Sequence, residues 1–297
     1  MKNRTLGDAL SIFIIYSVMV LVIIVTLYPF LNVLAISFND ARDTIKNINM
    51  VVPRKFTLDN YREILKYTTL THAAYISVMR TVVGTATGVV CQCMLAYTMS
   101  RTDYIFRKFI IKVFVITMYV GGGLIPYYML ILKLSLNNTF WVYIIPALIS
   151  TFNVIVIRSF MDELPQELQE SARIDGAGDF FIFVRVVMPL CLPVIATISL
   201  FLAVGQWNSW LDTYLYNPAR KELSTLQYEL MKILDQTSSG NATALAMLDP
   251  EAFAKRVVSP LSIRMAVTVV VTVPILLVYP FLQKYFVTGL TLGSVKG

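Results

Sequence analysis

Long runs of apolar side chains alternate with short polar segments along this chain of 297 residues. An α-helix needs about 20 consecutive apolar residues to cross the hydrocarbon core of a membrane, and several of the runs have that length. The pattern therefore predicts an all-α integral membrane protein that forms a single domain of six transmembrane helices. The six predicted spans lie at about 10–36, 74–99, 109–132, 139–160, 190–211 and 262–286.

Three polar segments separate these spans and are long enough to have structure of their own. We expect two outer loops, 37–73 and 212–261, and one cytoplasmic loop, 161–189, which we call the polar loop. Within the second outer loop the sequence predicts a helix at about 223–234 and an amphipathic piece around 250–257. The third span is interrupted by three consecutive glycines at 121–123. A break of this kind is tolerated at membrane depth only where protein or a water-filled cavity covers the freed backbone.

Composition and charge agree with a membrane protein. Hydrophobic residues make up 57% of the chain and charged residues only 14%, whereas a soluble domain has about 25% charged residues. The net charge of +7 does not indicate nucleic-acid binding, because the basic residues lie mostly at the ends of apolar runs. The short loop 100–108 is basic, as are the termini, so the positive-inside rule places both termini and the polar loop in the cytoplasm.

The chain carries no recognisable catalytic constellation. Cys91 and Cys93 are two residues apart on a predicted helix, so their side chains point to different faces and cannot pair easily. The single histidine, His72, has no metal-ligand spacing around it, and no glycine-rich phosphate-binding loop is present. We therefore expect a chain that is not an enzyme and that holds no metal or cofactor itself.

The polar loop predicts a short helix–turn–helix. Its first helix runs from about Pro165 to Asp175, since proline suits the first helical turn. Glycines at 176 and 178 break it, Asp179 is a suitable N-cap, and a second helix follows until Pro189. Two interpretations fit this pattern: an amphipathic connector on the membrane surface, or a docking helix for a partner protein.

The residues of this loop resemble the EAA motif of ABC-importer permeases. The sequence reads Glu170-Ser171-Ala172, then Asp175-Gly176-Ala177, then Val186-Val187-Met188-Pro189. It departs from the motif at Ser171, Val186 and Met188, each a change conservative in size and character. The segment 173–177 is typical of the sugar branch of the family, and AYTMSR at 96–101 is similar to another family segment. The resemblance extends over nearly the whole chain.

The resemblance implies a type I ABC-importer permease in the bacterial cell membrane, without contact to nucleic acid. In that architecture a second permease, usually a different gene product, completes the translocation path in the lipid bilayer. Two cytoplasmic ATPase subunits bind ATP and Mg, and an extracellular solute-binding lipoprotein delivers the substrate. Permeases of this type take up carbohydrates, here an oligosaccharide, with acidic ones among the candidates. The alternatives are a permease for peptides or other non-sugar solutes, and an ion-coupled carrier that works alone.

The resemblance also implies which residues couple this chain to the ATPase. Glu170 either pairs with a basic residue of the ATPase or caps the local fold. Gly176 is expected to allow a tight turn, because glycine adopts positive φ at no steric cost. The coupling residues carried over from the motif and its surroundings are Glu170, Ser171, Ala172, Asp175, Gly176, Ala177 and Pro189.

The candidates for the substrate path are polar or aromatic residues inside or near the predicted spans. Asn153 lies in mid-span, where a polar side chain faces the interior or hydrogen-bonds a neighbouring helix. Arg80 lies about two turns inside the second span; we expect it to snorkel outward, and the alternative is attraction of a uronate. Aromatic and amide groups together suit sugars, although the tryptophans also suit an interfacial belt. The other candidates are Tyr127, Gln206, Trp207, Asn208 and Trp210.

Overall fold

The computed structural model describes residues 6–44, 48, 50–66, 68–238 and 259–294. Within them the chain is helical throughout, apart from loops and a single isolated β-bridge between Asn39 and Phe56. The all-α prediction is therefore confirmed. The fourteen α-helices of the described residues include four of six residues or fewer. Their bounds are α1 Leu6–Ser37, α2 Ala41–Thr44, α3 Asp59–Lys66, α4 Thr68–Ser100, α5 Arg107–Tyr119, α6 Leu124–Lys133, α7 Thr151–Asp162, α8 Gln166–Ile174, α9 Asp179–Ile182, α10 Met188–Leu190, α11 Leu192–Asn208, α12 Leu211–Tyr216, α13 Leu226–Ser238 and α14 Pro260–Ser294.

The chain divides into two units, and each is described by itself. The first comprises Met1–Thr68 and Leu230–Val273. Within it, the end of α1 is tied to α3 by Asn60, whose buried carboxamide donates to the carbonyl oxygens of Ser37 and Asn39 at 2.9 and 3.0 Å. The apolar side chains of α1 between Phe13 and Phe30 are exposed, which suits a helix that faces lipid or another subunit.

The second unit comprises Thr69–Glu229 and Pro274–Gly297 and contains the main hydrophobic core. Four segments build this core: α4, α7, the stretch from α9 to α10, and α11. Their core side chains are fully or almost fully buried, among them Cys93, Ala96, Val154, Ile157, Ile182, Val187 and Ile198.

Two glycines allow α4 and α11 to approach closely. An ideal Cβ built on Gly84 would lie 2.6 Å from Nε2 of Gln206, and one on Gly88 would lie 3.3 Å from a methyl group of Leu202. The small-residue face that the spacing of these glycines indicates is therefore packed against α11.

The predicted spans in the middle of the chain are broken rather than straight. Helix α5 ends at Tyr119 and α6 begins at Leu124, with Gly123 at a φ of +79° between them. The next predicted span starts with two 3₁₀ segments, Phe140–Tyr143 and Ile145–Ala147, and bends by 46° into α7. Pro146 lies inside the second 3₁₀ segment, just before the bend, where it removes one backbone donor and disfavours a continuous helix.

Two helical segments, Ser11–Ser37 and Thr69–Ser100, are long and apolar enough to cross a membrane as single helices. The number rises to four if each bent pair counts as one span, namely Phe140–Ala147 with Thr151–Asp162 and Asp179–Leu190 with Leu192–Asn208. The count of six stays a prediction.

Other differences from the expected elements are local. Helix α12 falls where the sequence predicted the start of a loop, and α13 begins three residues later than the predicted helix 223–234. Helix α14 contains the predicted span 262–286 and continues through Pro274 and Pro280. The amphipathic piece predicted at 250–257 lies outside the described residues.

Candidate functional site

The first helix of the polar loop, α8, is closed by a complete Schellman motif. Gly176 has a φ of +84°, and its N–H donates to the carbonyl of Arg173 at 2.9 Å. The N–H of Ala177 donates to the carbonyl of Ala172, also at 2.9 Å, and both alanines pack against the core. The left-handed residue at the end of α8 therefore fixes the direction in which the chain leaves this helix.

The second helix of the polar loop differs from the prediction in three details. Gly178, not Asp179, is the N-cap, and the Asp179 carboxylate instead accepts a hydrogen bond from Arg173 at 2.9 Å. A π-helical segment, Phe183–Val187, joins α9 to α10. Pro189 lies inside α10 rather than ending the helix, and the chain bends by 84° after Leu190. The bend comes just before Pro193 in α11, whose missing N–H suits the first turn of a new helix.

A network of charges ties α8 to the end of α4. Arg101 donates to the carboxylate of Asp103 at 2.9 and 3.1 Å and to Oε1 of Gln169 on α8 at 3.1 Å. Arg173, near the end of α8, reaches both Asp103 at 3.3 Å and Asp179 at 2.9 Å. The Arg101 hydrogen bond is the main cause that holds the pKa of the Asp103 carboxyl below its ordinary value.

The network borders a polar cleft of about 280 Å³ between α8 and the segment 100–107. Glu170 lines this cleft with its side chain exposed, and it forms no hydrogen bond or ion pair with any residue that the structure describes. Two roles were expected for Glu170, pairing with a basic residue of the ATPase and capping the local fold. The second role finds no hydrogen-bond partner for the Glu170 side chain among the described residues. Ser171, Asp175 and Gly176 are exposed on the same helix end, as is Pro189 further on, whereas Ala172 and Ala177 are half-buried.

Large apolar side chains are exposed on this same part of the polar loop. Ile174 is 87% exposed and Phe180 71% exposed, and Leu168 and Phe181 are also exposed. Apolar groups of this size beside fixed charges are typical of a surface that another molecule covers.

The second candidate site surrounds Arg80 on α4, whose side chain is 2% exposed. Its guanidinium donates to Oε1 of Gln206, to both carboxylate oxygens of Asp212 and to the carbonyl of Ser209, at distances of 2.5–3.2 Å. It also lies 4.4 Å from the centre of the Tyr143 ring, within the range of a cation–π contact. The interpretation that Arg80 snorkels outward is therefore wrong, because its buried guanidinium is held inside by the partly exposed Asp212 carboxylate.

The Arg80 cluster forms one wall of a cavity of about 430 Å³. Asn153 lines the cavity as well, with its side chain largely buried, and Phe201 and Leu202 supply apolar wall. Three of the substrate-path candidates, Arg80, Asn153 and Gln206, thus come together from three different helices.

The other four candidates do not line this cavity. Trp207 is buried on another face of α11, Asn208 is exposed, and Trp210 is half-buried against Tyr214 with ring centres 6.2 Å apart. Tyr127 on α6 is exposed. Their proposed contact with substrate stays a prediction.

Two residues of this site are missing from the candidates that the sequence indicated. Asp212 and Ser209 lie where the sequence predicted the end of the fifth span. Asp212 is the first residue of the predicted outer loop, so it was not among the candidates for the substrate path. A single acidic residue close in sequence to Gln206 was the only signal available. No group of three or more potential metal ligands exists among the residues that the structure describes.

The sequence matches known proteins over its full length. The family model "Binding-protein-dependent transport system inner membrane component" matches residues 84–292. The polygalacturonan/rhamnogalacturonan transport system permease protein YtcP of Bacillus subtilis (strain 168) is 37% identical, over 100% of each chain. The arabinooligosaccharides transport system permease protein AraQ of Halalkalibacterium halodurans is 28% identical, over 92% of each chain.

The fold also matches a solved structure. A chain in the crystal structure of a bacterial ABC transporter involved in the import of the acidic polysaccharide alginate superimposes with a TM-score of 0.86. The match covers 96% of this chain and 100% of that one, at 23% sequence identity, so it bears on the fold alone.

Proposed function

Because the chain belongs to the family of binding-protein-dependent transport system inner membrane components, we propose that it is a permease subunit of an ATP-driven importer for oligosaccharides. The observation that carries this proposal is the polar loop inside the family match. Its α8 is fixed to the segment after α4 by the Arg101–Asp103–Arg173 network, while its outer surface is exposed and has no partner among the residues that the structure describes.

The geometry of the polar loop suits a coupling role. A helix that is capped, braced by charges and joined to the core moves as a rigid element when a partner pulls on it. The exposed Ile174 and Phe180 provide apolar contacts to that partner, and the unpaired Glu170 provides a charge for a basic residue on it. The partner in this proposal is a cytoplasmic ATPase subunit, and two such subunits serve the two permeases.

The energy of transport then comes from outside this chain. ATP and Mg bind to the ATPase subunits in this proposal. Movement of α8 passes through α9, the π-helical segment and α10 to α11, which carries Gln206 of the cavity. Segments with π-helical geometry are rare and are frequently found at functional sites.

The remaining partners follow from the family and the exposed surfaces. A second permease of different sequence completes the path, and the exposed apolar side chains of α1 suit contact with it or with lipid. An extracellular solute-binding lipoprotein delivers the substrate to the outer loops. We infer six spans, with both termini and the polar loop in the cytoplasm, from the positive-inside pattern.

The proposed substrate class rests on the relatives and on the cavity. The two relatives described above are named for the transport of polygalacturonan and rhamnogalacturonan and for that of arabinooligosaccharides. The cavity combines carboxamide groups with apolar wall, which is the combination that binds sugar hydroxyls and the apolar faces of sugar rings.

Affinity purification from the native host tests the assembly. The tagged chain is extracted in a mild detergent, and the proteins that co-purify in stoichiometric amounts are identified. A second permease together with an ATPase is expected, and sugar-loaded binding protein should then stimulate ATP hydrolysis by the complex. Recovery of the tagged chain alone, in a detergent that keeps related importers intact, would instead favour a carrier that works by itself.

A further inference from the structure

The guanidinium of Arg80 has no donor left for a ligand. An arginine side chain carries five N–H groups. Here Nε and one N–H of Nη2 donate to Oε1 of Gln206 at 3.1 and 3.0 Å. The other N–H of Nη2 donates to Oδ2 of Asp212, and Nη1 donates to Oδ1 of Asp212 and to the carbonyl of Ser209, each at 3.2 Å. All five donors are used within the chain.

The acceptors of this cluster are fixed in turn. Oδ1 of Asp212 also accepts from the backbone N–H of Thr213 at 2.8 Å, and Nε2 of Gln206 donates to the carbonyl of Tyr143 at 3.0 Å. Gly84, one turn after Arg80 on α4, leaves the space that the Gln206 side chain occupies. The cluster therefore joins α4, the 3₁₀ segment at Tyr143, the end of α11 and α12.

The charge of the cavity wall is balanced. Among the described residues that line the cavity, Arg80 is the single basic residue and Asp212 the single acidic one, so their formal charges cancel. A sugar carboxylate entering the cavity would find no free cationic donor and would face the partly exposed Asp212 carboxylate. Burial of an unpaired carboxylate is strongly unfavourable.

A different residue offers free hydrogen-bonding groups. Asn153 is 6% exposed and lines the cavity, and its carboxamide forms no hydrogen bond with any residue in the described part of the chain. A carboxamide both donates and accepts, which matches a sugar hydroxyl.

We propose that Arg80 is a positioning residue, which fixes the cavity wall through Asp212, Gln206 and Ser209. The cavity then binds sugar hydroxyls and has no subsite for a sugar carboxylate. This proposal rests on the oligosaccharide importer proposed above. If the imported oligosaccharide is acidic, its carboxylates are recognised outside this cavity.

A double-mutant cycle on the assembled transporter tests the positioning role. Arg80→Gln leaves the partly exposed Asp212 carboxylate unpaired and Asp212→Asn leaves the buried Arg80 guanidinium unpaired, and each is expected to lower Tm by about 10 °C. The double variant removes both charges and should recover most of that loss. The exposed pair Arg220 and Glu222, 3.6 Å apart, is the matched control, and its cycle should show no coupling. Losses that simply add in the Arg80–Asp212 double variant would overturn the proposal.

Uptake measurements distinguish positioning from direct binding. Two probes are compared at equal amounts of transporter in the membrane: α-1,4-linked trigalacturonate and its methyl ester, which lacks the negative charges. Each single variant is expected to slow uptake of both probes, and the double variant should restore both, with a rate ratio within about twofold of the unaltered transporter. Asn153→Ala should slow both probes by a similar factor of about 3 to 10.

The contrary result is specific. If Arg80 binds a carboxylate, Arg80→Gln and the double variant will slow trigalacturonate about tenfold or more relative to the ester, since a charged hydrogen bond is lost. Failure of the unaltered transporter to take up either probe would count against the proposed substrate class, and the Tm cycle would still decide the role of Arg80.

Discussion

Gly176 is the residue of the polar loop whose backbone conformation is most demanding. Its φ of +84° costs a residue with a side chain about 1–2 kcal/mol, although no heavy atom lies within 4 Å of the position its Cβ would take. We expect Gly176→Ala to leave membrane insertion intact and to reduce ATP-coupled uptake, because the Schellman motif that aims the chain out of α8 is weakened. Uptake at equal expression level measures this.

Two other variants separate backbone strain from the loss of glycine itself. Gly178 has a φ of −74° and equally open space, so Gly178→Ala adds no left-handed strain and, apart from a weaker N-cap, should reduce uptake less than Gly176→Ala. Gly176→Asn should be less harmful than Gly176→Ala, since asparagine tolerates the left-handed region better. Equal effects of alanine at both glycines would contradict this account.

Asp103 gives the polar loop a defined dependence on acid. Its pKa is held below the ordinary 3.8 chiefly by the hydrogen bond from Arg101. The carboxylate therefore stabilises the folded protein fully above that ordinary value, and the contribution is lost as the pH falls through the lower folded pKa. Between pH 7 and 5 this group causes no change.

Asp103→Asn should lower the thermal stability of the purified protein slightly at pH 7, by less than about 1 kcal/mol because the side chain is well exposed. The difference from the unaltered protein should shrink below pH 4 and vanish at the lowest pH at which the protein stays folded. Glu167→Gln serves as the control, because Glu167 is an exposed carboxylate on α8 that lies outside the Arg101–Asp103–Arg173 network. A difference that grows as the pH falls would refute the assignment.

Single residues show both the reach and the limit of inference from the sequence. The left-handed Gly176 follows from local chemistry, because glycine after an amphipathic helix is the usual way for a helix to end. The partners of Arg80 do not follow, since Asp212 lies 132 positions away and the distance only closes once α4 and α12 are packed. The pairing of Asp179 with Arg173 does not follow from the sequence either, because the sequence position of Asp179 suggests an N-cap role instead.

At the scale of helices, the approach of α4 to α11 depends on Gly84 more than on Gly88. A Cβ at Gly84 would meet Gln206 atoms at 2.6 and 2.8 Å, and this side chain is held by Arg80 and by the carbonyl of Tyr143. We expect Gly84→Ala to destabilise the protein by about 1–3 kcal/mol, the usual cost of overpacking a close contact.

Gly88→Ala is the matched comparison, because its Cβ would meet a Leu202 methyl group at 3.3 Å that a small rotation relieves. Thermal unfolding of the two variants in the same detergent measures the difference, and Gly84→Ala should be the less stable one. The reverse order would show that the Gln206 side chain moves freely and that the Arg80 cluster is not rigid.

Helix identity was easier to predict than helix continuity. Apolar runs and capping residues indicate where helices form, and the glycines at 121–123 predict the break between α5 and α6. The 3₁₀ segments around Pro146 and the bend that follows them have a weaker signal, because the apolar run continues through them. The π-helical segment Phe183–Val187 has no signal in the sequence, since the buried Ile182, Phe183 and Val187 suit an ordinary α-helix equally well.

At the scale of the whole molecule, the path of the broken helices across the membrane determines which loops face the cytoplasm. The positive-inside rule predicts that the segment 100–108 faces the cytoplasm, that the short connection after α6 lies outside, and that the segment before α13 lies outside as well. In a variant without Cys91, Cys93 and Cys191, single cysteines at Thr102, Lys133 and Lys221 report these three positions, which are all exposed.

With intact cells and a membrane-impermeant maleimide, Lys133→Cys and Lys221→Cys should react, and Thr102→Cys should react only after the membrane is opened. Reaction of all three only after opening would show that α5 and α6 form a re-entrant hairpin and that the span count is lower than six. Immediate reaction of Thr102→Cys would invert the orientation and remove the polar loop from the cytoplasm. Because an ATPase can reach α8 only from the cytoplasm, that result would also exclude the coupling role of the polar loop.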